Sequence, residues 1–465
     1  MPILFELPYT EDCERLFESL ACEPWAMWLD GAGWGSGRAV RGIFVAYPRV
    51  TLVSRGGETL IDAGPAGTRT SRRPPLEVLA EEMAALATDG ELECLHGGAV
   101  GYFAYDLARR EVPLRERDEM GVPDMALGLY DGMVVVDHAR RVCEVRTLKT
   151  AHGRAWGERI RQALMRGSGG GRQAFELRGA IRSDMDYPAY ARAFAAVQDY
   201  IRAGDCYQVN LAMRHAAPCM GHPWPLYQAL RRRNPAPYAA WLNLPFAQVL
   251  SSSPECFLSV RGGAVTTRPI KGTRRRGATA VEDARLRAEL AACTKDRAEN
   301  LMIVDLLRND LGRVCEVGSV RVPELFRIES YATVHHLVST VTGRLAPGKT
   351  PLDLLAAAFP GGSITGAPKR RAMQVIDALE PSRRELYCGA IGYLDTTGDM
   401  ELNIAIRTLV CNDGEVRYWA GGGLVADSQV GAEYQECLDK GRAMREVLEG
   451  FMGAPDARPP DSLTS

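Results

Sequence analysis

The stretch Ser251–Thr273, SSSPECFLSVRGGAVTTRPIKGT, commits this part of the chain to an antiparallel sheet. Two runs with strand-like composition are separated only by Gly262-Gly263. A Gly-Gly pair supplies the positive φ angles that a tight two-residue hairpin turn requires. A two-residue loop sets Glu255 opposite Ile270, whereas a loop one residue longer on the far side sets it opposite Lys271. Side chains alternate along a strand, so that one residue decides which face Lys271 takes. In both registers a carboxyl and an amine come close, which suits an ordinary cross-strand ion pair as well as two reacting groups.

Residues 1 to about 165 mix strand-like runs such as MALGLYDGMVVVDHA with helical stretches such as PPLEVLAEEMAALATDG, which ends on Gly after Asp. The glycine-rich MRGSGGGRQ then reads as a flexible surface connection, dividing an N-terminal region (1–165) from a second region (180–453). The Pro-rich polar tail, 454–465, is expected to be disordered. In the second region DYPAYARAFAAVQDYIRAGD predicts an amphipathic helix stopped near Gly204, and CYQVNLAM predicts a strand. On that strand Tyr207, Val209 and Leu211 share one face, with Gln208 and Asn210 on the other. A polar face of this kind either lines a pocket or meets solvent, and the pattern fits both.

Two further predicted helices carry paired acids. In DRAENLMIVDLLRNDLG, Asp296 and Glu299 share a face; in GAEYQECLDKGRAMREVLEGF, so do Glu433, Glu436 and Lys440. Acids in a first helical turn complement the helix dipole, and Glu436 with Lys440 suits a surface i,i+4 pair. The same four carboxylates also suit Mg²⁺, a hard cation that takes oxygen ligands. FPGGSITGAPKRRAM and WAGGGLVADS read as Gly-rich turns with backbone N–H groups free for an anion, though neither matches a Walker loop or a complete G-x-G-x-x-G.

Composition narrows the class of partner. With 56 basic and 58 acidic residues the net charge is −2, so no overall basic field recruits nucleic acid, and a metabolite is the expected ligand. Twelve cysteines stand singly, without a C-x-x-C pair, which predicts reduced thiols and neither a zinc site nor a disulfide framework. No basic leader precedes an apolar run, and no stretch approaches eighteen apolar residues, so a cytoplasmic protein with no membrane partner is expected.

Taken in order, GDCYQVNLA, SPECF, RPIKGT, KDRAENLMIVDLLRND, VHHLVST, FPGGSITGAPK, LNIAIRTL, AGGGLVADS and EYQECLDK resemble the chorismate-utilising enzymes. That family includes anthranilate, aminodeoxychorismate, isochorismate and salicylate synthases. The likeness spans roughly residues 185 to 450. PWAMWLDGA, GGAVGYFAYDLARR and VPDMALGLYDGMVVVDH extend it to the N-terminal half, where it is most similar to the members that aminate chorismate at C4. The resemblance implies an α+β fold, a β/α sandwich in which large antiparallel sheets flank helices and the N-terminal half packs onto the catalytic half. The glycine-rich stretch then becomes a surface excursion within one assembly.

The resemblance also implies chemistry. Gln208 stands where the water-adding members carry a lysine; an amide cannot deprotonate water, so ammonia is the implied nucleophile. Lys271 stands where anthranilate synthases carry a small residue, and is implied to add at ring C2 while the C4 hydroxyl leaves, protonated by Glu255. Ammonia then enters at C4 and displaces the lysine, giving 4-amino-4-deoxychorismate. Mg²⁺ is the implied cofactor, with Glu299 and Glu436 as direct ligands and Asp296 and Glu433 reached through water. His336 is implied near the C4 hydroxyl, and His335 beside it is read as structural. Tyr387 and Arg407 are implied at the enolpyruvyl carboxylate. Ser363, the amides of Gly421, Gly422 and Gly423, and Lys440 are implied at the ring carboxylate, with Gln208 and Thr273 as further substrate contacts. No G-x-C-x-G amidotransferase elbow is present, so ammonia is expected from solution or from a separate glutamine amidotransferase subunit. The alternative within the family is anthranilate synthase component I.

Overall fold

The computed structural model describes residues 4–453 except 32–40, 87–93, 111, 113, 116–120, 167–172 and 332–333. The expected glycine-rich boundary, the Asp89-Gly90 helix end and the 454–465 tail lie outside the described residues.

The apolar runs of the N-terminal half need cover on both faces, and the fold provides it. In the strand Gly132–Asp137, GMVVVD, every residue is buried. Met133 and Val135 join a core with Met27, Val45, Leu242, Tyr102 and Ile391, whereas Val134 and Val136 join a different one with Phe17, Trp156, Ile160 and Trp224. The first core lies between two sheets and the second lies beneath helices, so period-two alternation sorts side chains into two dry layers.

The sheets are large, and their strand pairings are antiparallel: thirteen strands in one and twelve in the other among the described residues. Both halves of the chain contribute to both sheets. Ala26–Asp30 pairs with Tyr238–Leu244, setting Met27 opposite Leu242, and Gly98–Phe103 pairs with Ala390–Asp395, setting Gly101 opposite Gly392. Ten α-helices accompany the sheets among the described residues. Val78, Leu79, Ile303, Leu307 and Leu355 cover the outer face of the second sheet. The resulting α+β sandwich agrees with the fold expected from the sequence. No helix among the described residues is long and apolar enough to cross a membrane, and all twelve cysteines are free.

The expected helix occupies Tyr187–Arg202, capped by Asp186 accepting from the Ala189 N–H and followed by Gly204 at φ +81°. The strand after it runs Gln208–Met220. The hairpin turns at Gly262 (φ +52°) and Gly263 (φ +79°), with Arg261 opposite Ala264. Neither expected partner for Glu255 survives, however. A bulge between Cys256 and Ser259 shifts the register to set Cys256 opposite Arg268. Beyond Pro269 the chain begins a new strand, Ile270–Arg275, which pairs with Val334–Arg344. Proline offers no N–H to a ladder, so the original pairing ends there.

The second Gly-rich stretch is also not the expected turn. Gly421, Gly422 and Gly423 lie inside the strand Glu415–Leu424, opposite Ala212, Leu211 and Asn210. A Cβ at Gly421 would come 2.6 Å from the Leu211 carbonyl oxygen, so the glycine permits close backbone approach rather than a turn.

Candidate active site

A cavity of about 580 Å³ opens where the Ile270–Arg275 strand meets the helices Thr294–Gly312 and Val430–Glu449. Its lining includes Glu255, Lys271, Thr273, Asp296, Glu299 and His336 from the earlier segments, and Ser363, Tyr387, Arg407, Gly421, Gly423, Glu436 and Lys440 from the later ones. Thirteen residues singled out from the sequence thus converge on one space. Three others stand just behind it. Gln208 is fully buried against Gly423, Gly422 is a wall strand position, and the Glu433 carboxylate is 3.4 Å from where a Gly422 Cβ would lie. The Gln208–Asn210 face is therefore buried, and Asn210 lines the cavity. Asn210 thus answers to the pocket-lining alternative for that face, whereas Lys295 and Trp419 are lining residues that sequence reasoning did not select. Lys295 had a local signal, its place beside Asp296; Trp419 had only its position before the glycines.

Glu255 is 5% exposed. Burial pushes its carboxyl above the usual carboxylate range, opposed by the Ser363 hydroxyl, Lys271 and the Ile270 N–H. Ser363 Oγ donates to Glu255 Oε1 at 2.7 Å, while the Ser363 carbonyl accepts from Lys271 Nζ at 3.2 Å. Burial lowers the Lys271 pKa, with nearby Lys440 adding to the effect and Glu299, 4.0 Å away, resisting it. A buried acid and a largely enclosed amine are thus each pushed toward their neutral forms.

The four acids interleave with cations. Glu299 lies 3.9 Å from Lys295, Glu433 accepts from Lys295 at 3.0 Å and from Ser428 at 2.7 Å, and Asp296 lies 3.2 Å from Arg274. Glu436 pairs with Lys440 at 2.6 Å at the open mouth, where both are nearly half exposed. Burial raises Glu299, and the charges of Glu436 and Asp296 raise it further. Glu436 is held low against burial by Lys440 and Lys295.

His336 accepts or donates a 2.9 Å hydrogen bond with Thr273, its cross-strand partner. Burial, then Arg407 and His335, push its pKa down to about 3, so the ring is neutral at pH 7. His335 turns the other way, to Ser330 and Asp283, in keeping with a structural role. Arg407 stands out among the cations. Its guanidinium lines the cavity and has no hydrogen bond or ion pair to another described side chain, and burial lowers its pKa. A desolvated guanidinium that faces the cavity with no carboxylate bonded to it is a site for an anionic ligand. Beside it Tyr387 stacks on Trp419 at 6.1 Å with planes 8° apart.

Against known proteins, the chorismate binding enzyme family matches residues 28–446. The chain belongs to that family. Among family relatives, aminodeoxychorismate synthase component 1 of Klebsiella aerogenes is 45% identical over 456 residues, covering 96% of this chain and 99% of that protein. The Escherichia coli K12 protein of the same name is 43% identical over 455 residues, with the same coverage. Among solved structures, anthranilate synthase component I from Streptococcus pneumoniae superposes with a TM-score of 0.76 at 31% identity, over 89% of this chain and 95% of that one.

For a chorismate binding enzyme, the acid cluster fits a hard divalent cation by its donors. Glu433 and Glu436 both face the open side of Gly422, at 3.4 and 3.6 Å from where a Cβ would lie. Asp296 Oδ2 is buried, with the Arg274 guanidinium 3.2 Å away as its charge partner. Among the described residues no three His, Cys, Asp or Glu side chains are drawn together as a ligand set; lysine ammoniums stand between the carboxylates. All-oxygen donors of this kind suit Mg²⁺ better than softer metals.

Proposed function

We propose that this chain is a cytoplasmic enzyme that adds ammonia to C4 of chorismate, giving 4-amino-4-deoxychorismate and water, with the enolpyruvyl group retained. The observation that carries the reading is Lys271. It is a largely enclosed amine, 11% exposed and of lowered pKa, on the same cavity as the buried acid Glu255, each fastened to Ser363.

Neutral Lys271 Nζ forms a bond to ring C2 as the two conjugated ring double bonds shift in concert, C1=C2 to C1=C6 and C5=C6 to C4=C5, and the C4–O bond breaks; Glu255 gives its proton to the departing hydroxyl, which leaves as water. The lysine nitrogen, now carrying an extra proton, returns it to Glu255. Ammonia then bonds to C4, both double bonds shift back, and the C2–N bond breaks to restore free Lys271, which regains a proton from the incoming nitrogen. Two allylic displacements replace one direct displacement of a poor leaving group. The unpaired Arg407 guanidinium, with Tyr387, holds the enolpyruvyl carboxylate by a planar two-point contact. Neutral His336, anchored by Thr273, meets the C4 hydroxyl, and Lys440 with the Gly421–Gly423 backbone meets the ring carboxylate.

Glu299 and Glu436, with Asp296 and Glu433 behind them, would hold Mg²⁺, which when bound neutralises the ring carboxylate and draws electron density toward it. Gln208 supports ammonia over water as nucleophile: it is a fully buried amide, both of whose polar atoms lack a hydrogen-bond partner among the described residues, and it cannot serve as a base. The ammonia comes from a separate glutamine amidotransferase subunit, in line with the words "component 1" in the names of the relatives.

The test is a product assay with chorismate, Mg²⁺ and ammonium. An amino adduct formed without pyruvate supports the reading; prompt pyruvate release with fluorescent anthranilate overturns it.

A further inference from the structure

We propose that Arg384, which does not line the cavity, is a positioning residue for the proposed amination, holding three of the cavity walls in register. The inference rests on that functional reading.

The Arg384 side chain is 1% exposed and bonds Glu380 through two nitrogens, at 2.9 and 2.6 Å. Glu380 in turn accepts from the Ala212 N–H at 2.9 Å, which ties the pair to the wall strand Gln208–Met220. The remaining donors do not stay within the pair. One reaches the Ile364 carbonyl at 2.8 Å; another reaches the Asn210 carbonyl at 2.9 Å and lies 3.4 Å from the Asn210 side-chain oxygen. The guanidinium also sits over the rings of Tyr105 and Tyr387, 5.0 and 5.6 Å from their centroids.

Ile364, Asn210 and Tyr387 all line the cavity. Ile364 follows Ser363, whose hydroxyl and carbonyl hold Glu255 and Lys271, so a shift of the Ile364 carbonyl displaces both reacting groups at once. A rigid fork with five donors can span these walls, whereas an ammonium cannot. Glu380 neutralises the fork, so Arg384 orders the cavity without adding net charge to it. An ion pair serving only the core would have no reason to send its spare donors to two separate walls and lay its face over a third.

Two variants test this: R384K, which keeps the charge, and E380M/R384M, which removes the pair together and leaves no lone buried ion. With chorismate, Mg²⁺ and ammonium, each folded variant is expected to lose about tenfold or more in kcat, since small misplacements of reacting groups have effects of that order. The KM for chorismate should rise less than kcat falls, because Arg407 and Lys440 are untouched and only Tyr387 among the carboxylate contacts packs on Arg384. The break in the pH profile belonging to Glu255 should move to higher pH as its Ser363 hydrogen bond loosens. Thermal unfolding shows which variants fold. If wild type forms no amino product, the functional reading fails and not the role of Arg384. If wild type is active and a folded variant keeps both kcat and pH profile within about twofold, the positioning role is overturned. Failure of both variants to fold would make Arg384 structural, and overturns it equally.

Discussion

Glu255 and Lys271 share a cavity without forming an ion pair: Ser363 offers its hydroxyl to one and its carbonyl to the other. The proposed mechanism needs Glu255 protonated, a form lost as pH rises through its raised pKa, and Lys271 neutral, a form gained as pH rises through its lowered pKa. The kcat profile is therefore bell-shaped. Glu255→Gln should lower kcat by about 10²–10⁴-fold. Ser363→Ala should move the Glu255 break to higher pH, because the hydroxyl bond favours the carboxylate. Stopped-time assays of product across pH check both.

Lys271→Ala should abolish a covalent adduct. Intact-protein mass spectrometry of wild type with chorismate and Mg²⁺, ammonia withheld, should show an added mass lying on Lys271. Absence of that mass from wild type under conditions that support turnover would overturn the covalent step.

Arg407→Met should act in opposite senses on stability and binding. An unpaired, partly buried guanidinium disfavours the ligand-free fold, so its removal should raise the melting temperature, by about 1 °C for each kcal/mol recovered in a chain of this size. Loss of a charge-assisted contact of about 1.5–3 kcal/mol should raise the KM for chorismate by about 10- to 150-fold. Calorimetry and initial rates separate the two effects.

Mg²⁺ at about a hundred times its dissociation constant should stabilise the protein by about 2.7 kcal/mol. Thermal unfolding with and without Mg²⁺ should show the rise, and Glu299→Gln and Glu436→Gln should each diminish it. Chelation should stop turnover.

His336, with a pKa near 3 when folded and an ordinary histidine value when unfolded, favours the folded state fully above that ordinary value. Its contribution declines as pH falls from about 6.5 toward 3, by about 1.4 kcal/mol per unit. His336→Asn should lose less stability over that window than wild type, as read by denaturant unfolding at several pH values.

Much of the site was legible because its chemistry is written in local spacings: Asp296 with Glu299, Glu433 with Glu436, and Gly262-Gly263 at the turn. What escaped depends on distant partners. Neither the bulge at Cys256–Ser259 nor the pairing of Ile270–Arg275 with the distant Val334–Arg344 is contained in a hairpin pattern. The glycines at 421–423 looked like a turn because composition alone cannot distinguish a bend from a strand pressed against another backbone. Trp419 and Arg384 carry no motif of their own; their significance comes from the walls they touch. The large antiparallel sheets were expected from family likeness alone, since the order in which strands from both halves assemble is a property of long-range pairing.

That order bears on how the chain comes off the ribosome. Gly98–Phe103 finds its neighbour Ala390–Asp395 about 290 residues later. At about 5–20 residues per second, one flank of an apolar strand waits roughly 15 to 60 s for its mate. Synthesis must nearly finish before either sheet can close, so nascent chains stalled before residue 390 should be retained by chaperones or degraded rather than released as a folded half.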